Sequence, residues 1–319
     1  MLVADEHGGG NVSGNGVADL ALISEEFGRK DAPGPLVPVS IVAAALSRYG
    51  SDAQRAQWLD GLVAGESFAS WAIGRHFGLG ATSTLQVTRS GDSIVLNGTL
   101  SPVEASDIAG VFLVSGDIEG VGVNVLVPAD SSGLSIQELT SIDLVRRFGT
   151  LTFDNVTLGA ESILAGDGDE QFFALADIAA VLQSAALAGM VDLWLGLTIE
   201  YAFDRHSFGR PLASYQALKH RFAQLKTSTE AALATSVAAA EAVGLGAPRA
   251  SEFASVAKAY TGDLAAKGLH ECVQLNGGIA TTWDHDLHLH LRRAVQDTAL
   301  YGTPEEHRER LAQIIGMGN

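Results

Sequence analysis

Apolar side chains recur every three to four positions at Leu20, Leu22, Ile23 and Phe27. That is the spacing of one helix face, so residues 19–28 are expected to form a helix that stops at Gly28. Gly8, Gly9, Gly10, Gly14 and Gly16 mark a loop before it. Pro33, Pro35 and Pro38 break the chain ahead of a second helix at about residues 40–49. Ser51 starts a third, which carries Arg55, Trp58 and Leu59 and ends at Gly65. Beyond it the period shortens. Residues 85–88, 93–96, 111–115, 121–127, 134–138 and 151–156 are short β-branched runs between Gly, Asp and Asn turns, which predicts a small antiparallel barrel or sandwich. Asn97-Gly98 reads as a hairpin turn between two of these strands.

From about residue 169 the helical period returns. Residues 172–205 contain no proline and are apolar nearly all round, as in a central helix of a four-helix bundle. A second long helix is expected at 214–243, a third from a Ser251 cap to about 275, and a fourth at 286–301. Thr303-Pro304-Glu305-Glu306 is a capping box with proline in the first turn, so one more helix starts there. The fold class is therefore α+β: a reduced helical part at 1–66, a β-domain at 67–165 and a helical bundle at 166–319.

Composition narrows the function classes. With 319 residues, 47% of them apolar and 18% charged, the chain can bury a large core. Its formal charge of −17 argues against nucleic acid as the main partner, because phosphate backbones need clustered Lys and Arg. It does not exclude an anionic small molecule held by a few local groups. The single cysteine, Cys272, reads as a small core residue; the lack of any disulfide and of a basic-then-apolar leader fits a cytoplasmic protein. Residues 181–199 are strongly apolar but include Gln183, Ser184 and Asp192, so they read as a buried helix and not a membrane span.

Four motifs then occur in order. The first is Asp5-Glu6-His7-Gly8-Gly9. The second is Arg147-Phe148-Gly149 followed by Phe153-Asp154-Asn155-Val156. The third is Arg205-His206-Ser207-Phe208-Gly209-Arg210-Pro211 with Tyr215-Gln216 after it. The fourth is Gln274-Leu275-Asn276-Gly277-Gly278-Ile279-Ala280, then Trp283 and the run to Arg292-Arg293. Together they resemble the acyl-CoA dehydrogenase family across nearly the whole chain. The R-x-x-F-G-x-P and Q-x-x-G-G patterns are the specific ones. The resemblance implies FAD as cofactor and an acyl-CoA as substrate. It also implies at least a dimer, because in this family these C-terminal groups reach a flavin bound mainly by the neighbouring subunit.

The expected flavin-contacting residues are Arg205, Phe208, Gln216, Gln274, Gly277 and Gly278. An arginine past a helix end gives charge-assisted hydrogen bonds to a diphosphate. An aromatic ring offers a face, glutamine both donates and accepts, and glycine lets the backbone come close. The plainer alternative is a helix-end cation and a helix C-cap. The family's reaction needs a glutamate to take the α-proton while hydride leaves to the flavin. The two usual places for it hold Tyr301, before Gly302-Thr303, and Ala179. Where the family has an aromatic/Thr-Glu-Pro stretch near the flavin, this chain has Phe68-Ala69-Ser70-Trp71-Ala72-Ile73-Gly74, and the following Gly-Ser-Asp has no recognisable counterpart. The chain also opens at the acidic-Gly-Gly loop, so the family's first helices are missing, through a misassigned start or a natural shortening.

These departures resemble the second chain of two-chain bacterial acyl-CoA dehydrogenases, including those that shorten steroid side chains. In them one chain supplies the glutamate and the other completes its flavin site. The alternatives are a self-sufficient homo-oligomer using Asp177 as an unusual base, or a structural subunit without flavin. Glu200 and Asp204 share a helix face and read as solvated charge. Asp284, His285, His288 and His290 form a metal-like cluster in sequence, but no matching second ligand set is visible, and no metal is expected.

Overall fold

The computed structural model describes residues 1–75 and 84–317. The stretch after Arg75, where the family's Gly-Ser-Asp would follow, lies largely outside them. The chain folds as two compact units. One comprises residues 1–20, 34–141 and 146–179; the other comprises 21–33, 142–145 and everything from Ala180 onward.

In the first unit, α2 (Leu36–Tyr49) begins earlier than the prolines suggest, because Pro38 sits in its first turn, where no backbone N–H is needed. Ser51 and Gln54 form a reciprocal capping box. From it α3 (Asp52–Gln54) continues through a π-helical segment (Arg55–Leu59) into α4 (Asp60–Ala64), which ends at a left-handed Gly65.

The β-domain is not a closed barrel. Its strands form two sheets, β1 (Ala69–Ile73), β4 (Val111–Ile118) and β5 (Val121–Pro128) in the order β1-β4-β5, and β2 (Gln86–Ser90), β3 (Ser93–Glu104), β7 (Phe148–Gly159) and β6 (Leu134–Leu139) in the order β2-β3-β7-β6. Phe112, Val114, Val125 and Val127 of the first sheet share one core with Ile94, Leu96, Leu151 and Phe153 of the second, which makes a sandwich. Nor is it wholly antiparallel, since β1 runs parallel to β4. The sequence hid β1 because its residues are buried on both faces and do not alternate. Asn97-Gly98 is not a turn either. Gly91 and Asp92 make the β2–β3 turn, and Asn97-Gly98 lies inside β3 at a register shift against β7. Gly98, at φ 123°, is needed there: a Cβ would stand 2.4 Å from the Thr84 carbonyl oxygen.

In the second unit, α5 (Gly168–Asp204, from its residue Ala180), α6 (Gln216–Gly244), α7 (Ala250–Asn276) and α8 (Leu287–Ala299) share a core of Leu187, Val191, Trp194, Leu225, Leu269 and Leu287. This is the expected bundle, and α9 (Pro304–Ile314) follows with both capping-box hydrogen bonds formed at Thr303 and Glu306. Two helix ends differ from expectation. The N-cap of α7 is Arg249, ahead of Ser251. Gly28 lies within α1 (Gly16–Arg29) and does not end it; a Cβ at Gly28 would stand 2.1 Å from the Ala186 carbonyl oxygen, so glycine serves close helix packing. By length and composition α5 could cross a membrane, but 94% of its most apolar window is buried in the protein, as in a core helix.

Candidate functional site

Two chain reversals build the site. At the first, α5 ends and Arg205 follows; its N–H donates to the Tyr201 carbonyl (2.8 Å), and its own carbonyl accepts from the Leu212 N–H (2.8 Å). Between these anchors the chain makes a hairpin of β8 (His206–Ser207) and β9 (Arg210–Pro211). Its turn residues, Phe208 (φ 50°) and Gly209 (φ 80°), both lie in the left-handed region that a two-residue hairpin turn requires. For phenylalanine that conformation costs about 1 kcal/mol or more. The hairpin is fixed to the start of α6, because the Tyr215 hydroxyl donates to the Ser207 carbonyl (2.7 Å) and the Arg210 guanidinium lies 3.9 Å over the Tyr215 ring. The Phe208 side chain is 96% exposed.

The second reversal ends α7. Asn276 is buried and donates to the Thr198 hydroxyl (2.8 Å) and the Cys272 carbonyl (2.9 Å), tying the end of α7 to α5. Burial pushes the Cys272 thiol up to about 11, so it is an inert core group. Gly277 is the C-cap, its N–H donating to the Val273 carbonyl, at φ 73° and ψ −150°, a region essentially closed to other residues. Gly278 differs in its backbone, which lies outside the positive-φ region, and at either glycine a Cβ would meet no further atom of this chain within 4 Å.

Between the two reversals lies a pocket of about 670 Å³. It brings together Arg205, Gln274, Gly277 and Gly278, and adds Tyr201 and Arg221. Leu212, Leu218, Leu275 and Ile279 supply apolar wall. Phe208 and Gln216 do not line it; Phe208 stands at the hairpin tip and Gln216 is the exposed first residue of α6. Among the described residues, no hydrogen bond or ion pair engages the Arg205 guanidinium or the Gln274 amide. Arg221 is different, because its Nε donates to Glu271, and that bond raises its pKa. Sequence reading missed Tyr201 and Arg221. Tyr201 stands one helical turn before Arg205, a spacing that could have suggested it; Arg221 belongs to no motif.

An anionic dinucleotide fits these donors. The pocket offers an uncommitted guanidinium for phosphate, an amide able to donate and accept, and bare backbone at Gly278.

The remaining candidate residues lie elsewhere. Tyr301 (φ 57°) is buried and its carbonyl lies 2.9 Å from His307 Nε2. Beside it the buried Lys258 donates to the carbonyls of Asp297 (3.2 Å), Thr298 (2.9 Å) and Gly302 (2.9 Å). Burial pushes the amine down to about 7, against the pull of the Asp297 and Glu306 carboxylates. Ala179 and Asp177 are buried on α5, and Glu200 and Asp204 are exposed. Arg293 is buried against Asp31 (2.8 Å) and Asp143 (3.2 Å), a structural role. The histidines pack as aromatic rings: His285 and His290 lie 5.2 and 5.4 Å from Trp194, and His288 lies edge-on to Trp283. Among the described residues no three metal-ligating side chains converge.

Known proteins resemble this chain in sequence and fold. Residues 1–66 match the family model of the acyl-CoA dehydrogenase N-terminal domain, and residues 167–316 match that of the C-terminal domain. The acyl-CoA dehydrogenase IpdE2 of Mycolicibacterium smegmatis is 30% identical over 98% of this chain and 82% of the relative. Among solved structures, a variant of the Tcur3481-Tcur3483 steroid ACAD is 29% identical, with a TM-score of 0.87 over 99% of this chain and 84% of that one. The ChsE4-ChsE5 complex from Mycobacterium tuberculosis is 23% identical, with a TM-score of 0.89 over 99% of this chain and 84% of its own. A glutaryl-CoA dehydrogenase from Mycobacterium smegmatis, solved in complex with FADH2, is 21% identical, with a TM-score of 0.82 over 94% of this chain and 78% of its own. With both of its helical parts matched and a relative aligned along almost its full length, the chain belongs to the acyl-CoA dehydrogenase family.

Proposed function

We propose that this chain is a subunit of an FAD-dependent acyl-CoA dehydrogenase that completes the flavin site of a homologous partner, and that the partner supplies the catalytic glutamate. The observation that carries this reading is the pocket holding Arg205, Gln274, Gly277 and Gly278 together, with the first two uncommitted within the chain. The bound flavin would accept the hydride from the acyl-CoA. This chain would bind and orient it: Arg205 neutralises diphosphate charge, Gln274 hydrogen-bonds to the cofactor, and Gly278 leaves room for close approach. Phe208, exposed at the hairpin tip, would offer its ring face to the cofactor from outside the pocket.

Two further features support the division of labour. Tyr301 and Ala179 stand where the family resemblance places the glutamate. In the β-domain, the stretch corresponding to the aromatic/Thr-Glu-Pro segment carries Trp71, which is 4% exposed; its indole N–H donates to the Ser115 hydroxyl (2.8 Å), which donates to Asn124 Oδ1 (2.6 Å). With its ring tilted against Phe172 at 5.8 Å, Trp71 fills this region with side chains.

The test is to purify the chain alone and with a homologous chain that carries the glutamate. One flavin per pair, with turnover only in the pair, is expected. Full flavin occupancy and turnover by this chain alone would overturn the reading. No flavin under either condition would leave a structural subunit.

A further inference from the structure

Arg221 lies outside every motif of the sequence, yet it lines the same pocket as Arg205. In a chain with a formal charge of −17, two arginines lining one pocket are a local reversal of sign. Arg221 projects from α6 and is joined by its Nε to Glu271 of α7, one helical turn before Gln274. Glu271 does not line the pocket. The ion pair therefore occupies one edge of the guanidinium. Among the described residues, nothing engages its two terminal nitrogens. A guanidinium held at Nε and open at both terminal nitrogens is set for two-point binding of a phosphate.

We propose that Arg221, oriented by Glu271, is a second phosphate-binding residue of this pocket, sharing the charge of a nucleoside diphosphate moiety with Arg205. The proposal rests on the flavin reading above and adds to it a residue and a positioning partner. One cation cannot by itself balance a diphosphate, and the pocket has space for both phosphates and the adjoining nucleoside.

Calorimetric titration of the full chain with ADP, using adenosine as the uncharged control, tests this. R221Q and E271Q each break the same ion pair, so a purely structural clamp would give both variants the same phenotype. As a phosphate ligand, Arg221 predicts divergence. R221Q weakens ADP binding at least about tenfold and leaves adenosine unchanged, while E271Q stays within about threefold of wild type or binds tighter, since its amide oxygen can still accept the Arg221 Nε–H and hold the guanidinium in place, the cation is kept and a nearby negative charge is removed. Equal losses in the two variants, or no loss in R221Q, overturn the proposal, as does a wild-type chain without saturable ADP binding. R205A separates the two readings. If it weakens ADP binding and R221Q does not, the flavin reading stands and only the role of Arg221 falls. If the assembled pair of chains retains its flavin unchanged with R205A, the flavin reading itself falls.

Discussion

Replacing Lys258 by methionine should destabilise the chain, and the size of the loss should depend on pH in a defined direction. The amine is fully buried, and its three hydrogen bonds go to the carbonyls of Asp297, Thr298 and Gly302, where α8 ends and the turn into α9 begins. Methionine conserves volume but removes the donor that these three carbonyls share. Each buried orphan costs about 1–3 kcal/mol. Relief of the desolvation of the charge returns part of this, so a net loss of about 2–4 kcal/mol is expected. Burial holds the folded-state pKa at about 7, below its ordinary value of 10.5. Between these values the unfolded chain binds the proton and the folded chain does not, so stability rises with pH across that window, by up to about 1.4 kcal/mol per pH unit. Below pH 7 both states are protonated and the burial penalty is complete. The margin of wild type over K258M should therefore widen by roughly 2–3 kcal/mol between pH 6 and pH 9. Urea denaturation of both proteins at these pH values measures it, and groups common to both cancel. A margin that stays flat would refute the reasoning; it would mean that the three carbonyls and the Asp297 and Glu306 carboxylates hold the ammonium charged as firmly as water does.

The glycine pair should separate folding from binding. G277A should lose about 1–3 kcal/mol of stability, because its φ and ψ suit glycine alone. G278A should unfold like wild type, since its Cβ meets nothing of this chain, yet retain flavin less well in the assembled pair. Phe208→Gly should raise stability by up to about 1 kcal/mol by relieving the left-handed backbone, while speeding flavin release, read by flavin fluorescence. Asp177→Asn should leave turnover of the pair unchanged; a loss of turnover would favour the self-sufficient enzyme.

Much of the helical half is legible because its signals are local. The Thr303 box needs only four residues, and both of its hydrogen bonds form. The bundle helices follow from long proline-free apolar runs. What was not legible depends on distant partners. Ala69, Ser70, Trp71 and Ala72 become a strand only because β4 offers it a parallel edge. Asn97-Gly98 has the composition of a turn, but Asn97 Oδ1 accepts the Asn155 N–H (2.9 Å) and the pair is absorbed into a bulge. Within the site, the motif residues Arg205, Gln274, Gly277 and Gly278 line one pocket, whereas Phe208 and Gln216 do not. Motif spacing ranks residues by kind and not by direction, and the hairpin turns Phe208 away from its neighbours. Arg221 was invisible because its significance lies in which helix faces it.

The hairpin tip has a consequence for how this molecule can change over time. Phe208 is 96% exposed, so its ring leans on little of the described chain, and the backbone of the turn and the tether from Tyr215 to Ser207 fix the hairpin without it. Exchanging the ring for another side chain there carries little risk to folding, so recognition of a partner can drift at that point almost independently of stability. At Asn276 the reverse holds, since the group that shapes the pocket floor also joins two helices, and any alteration must satisfy both duties at once.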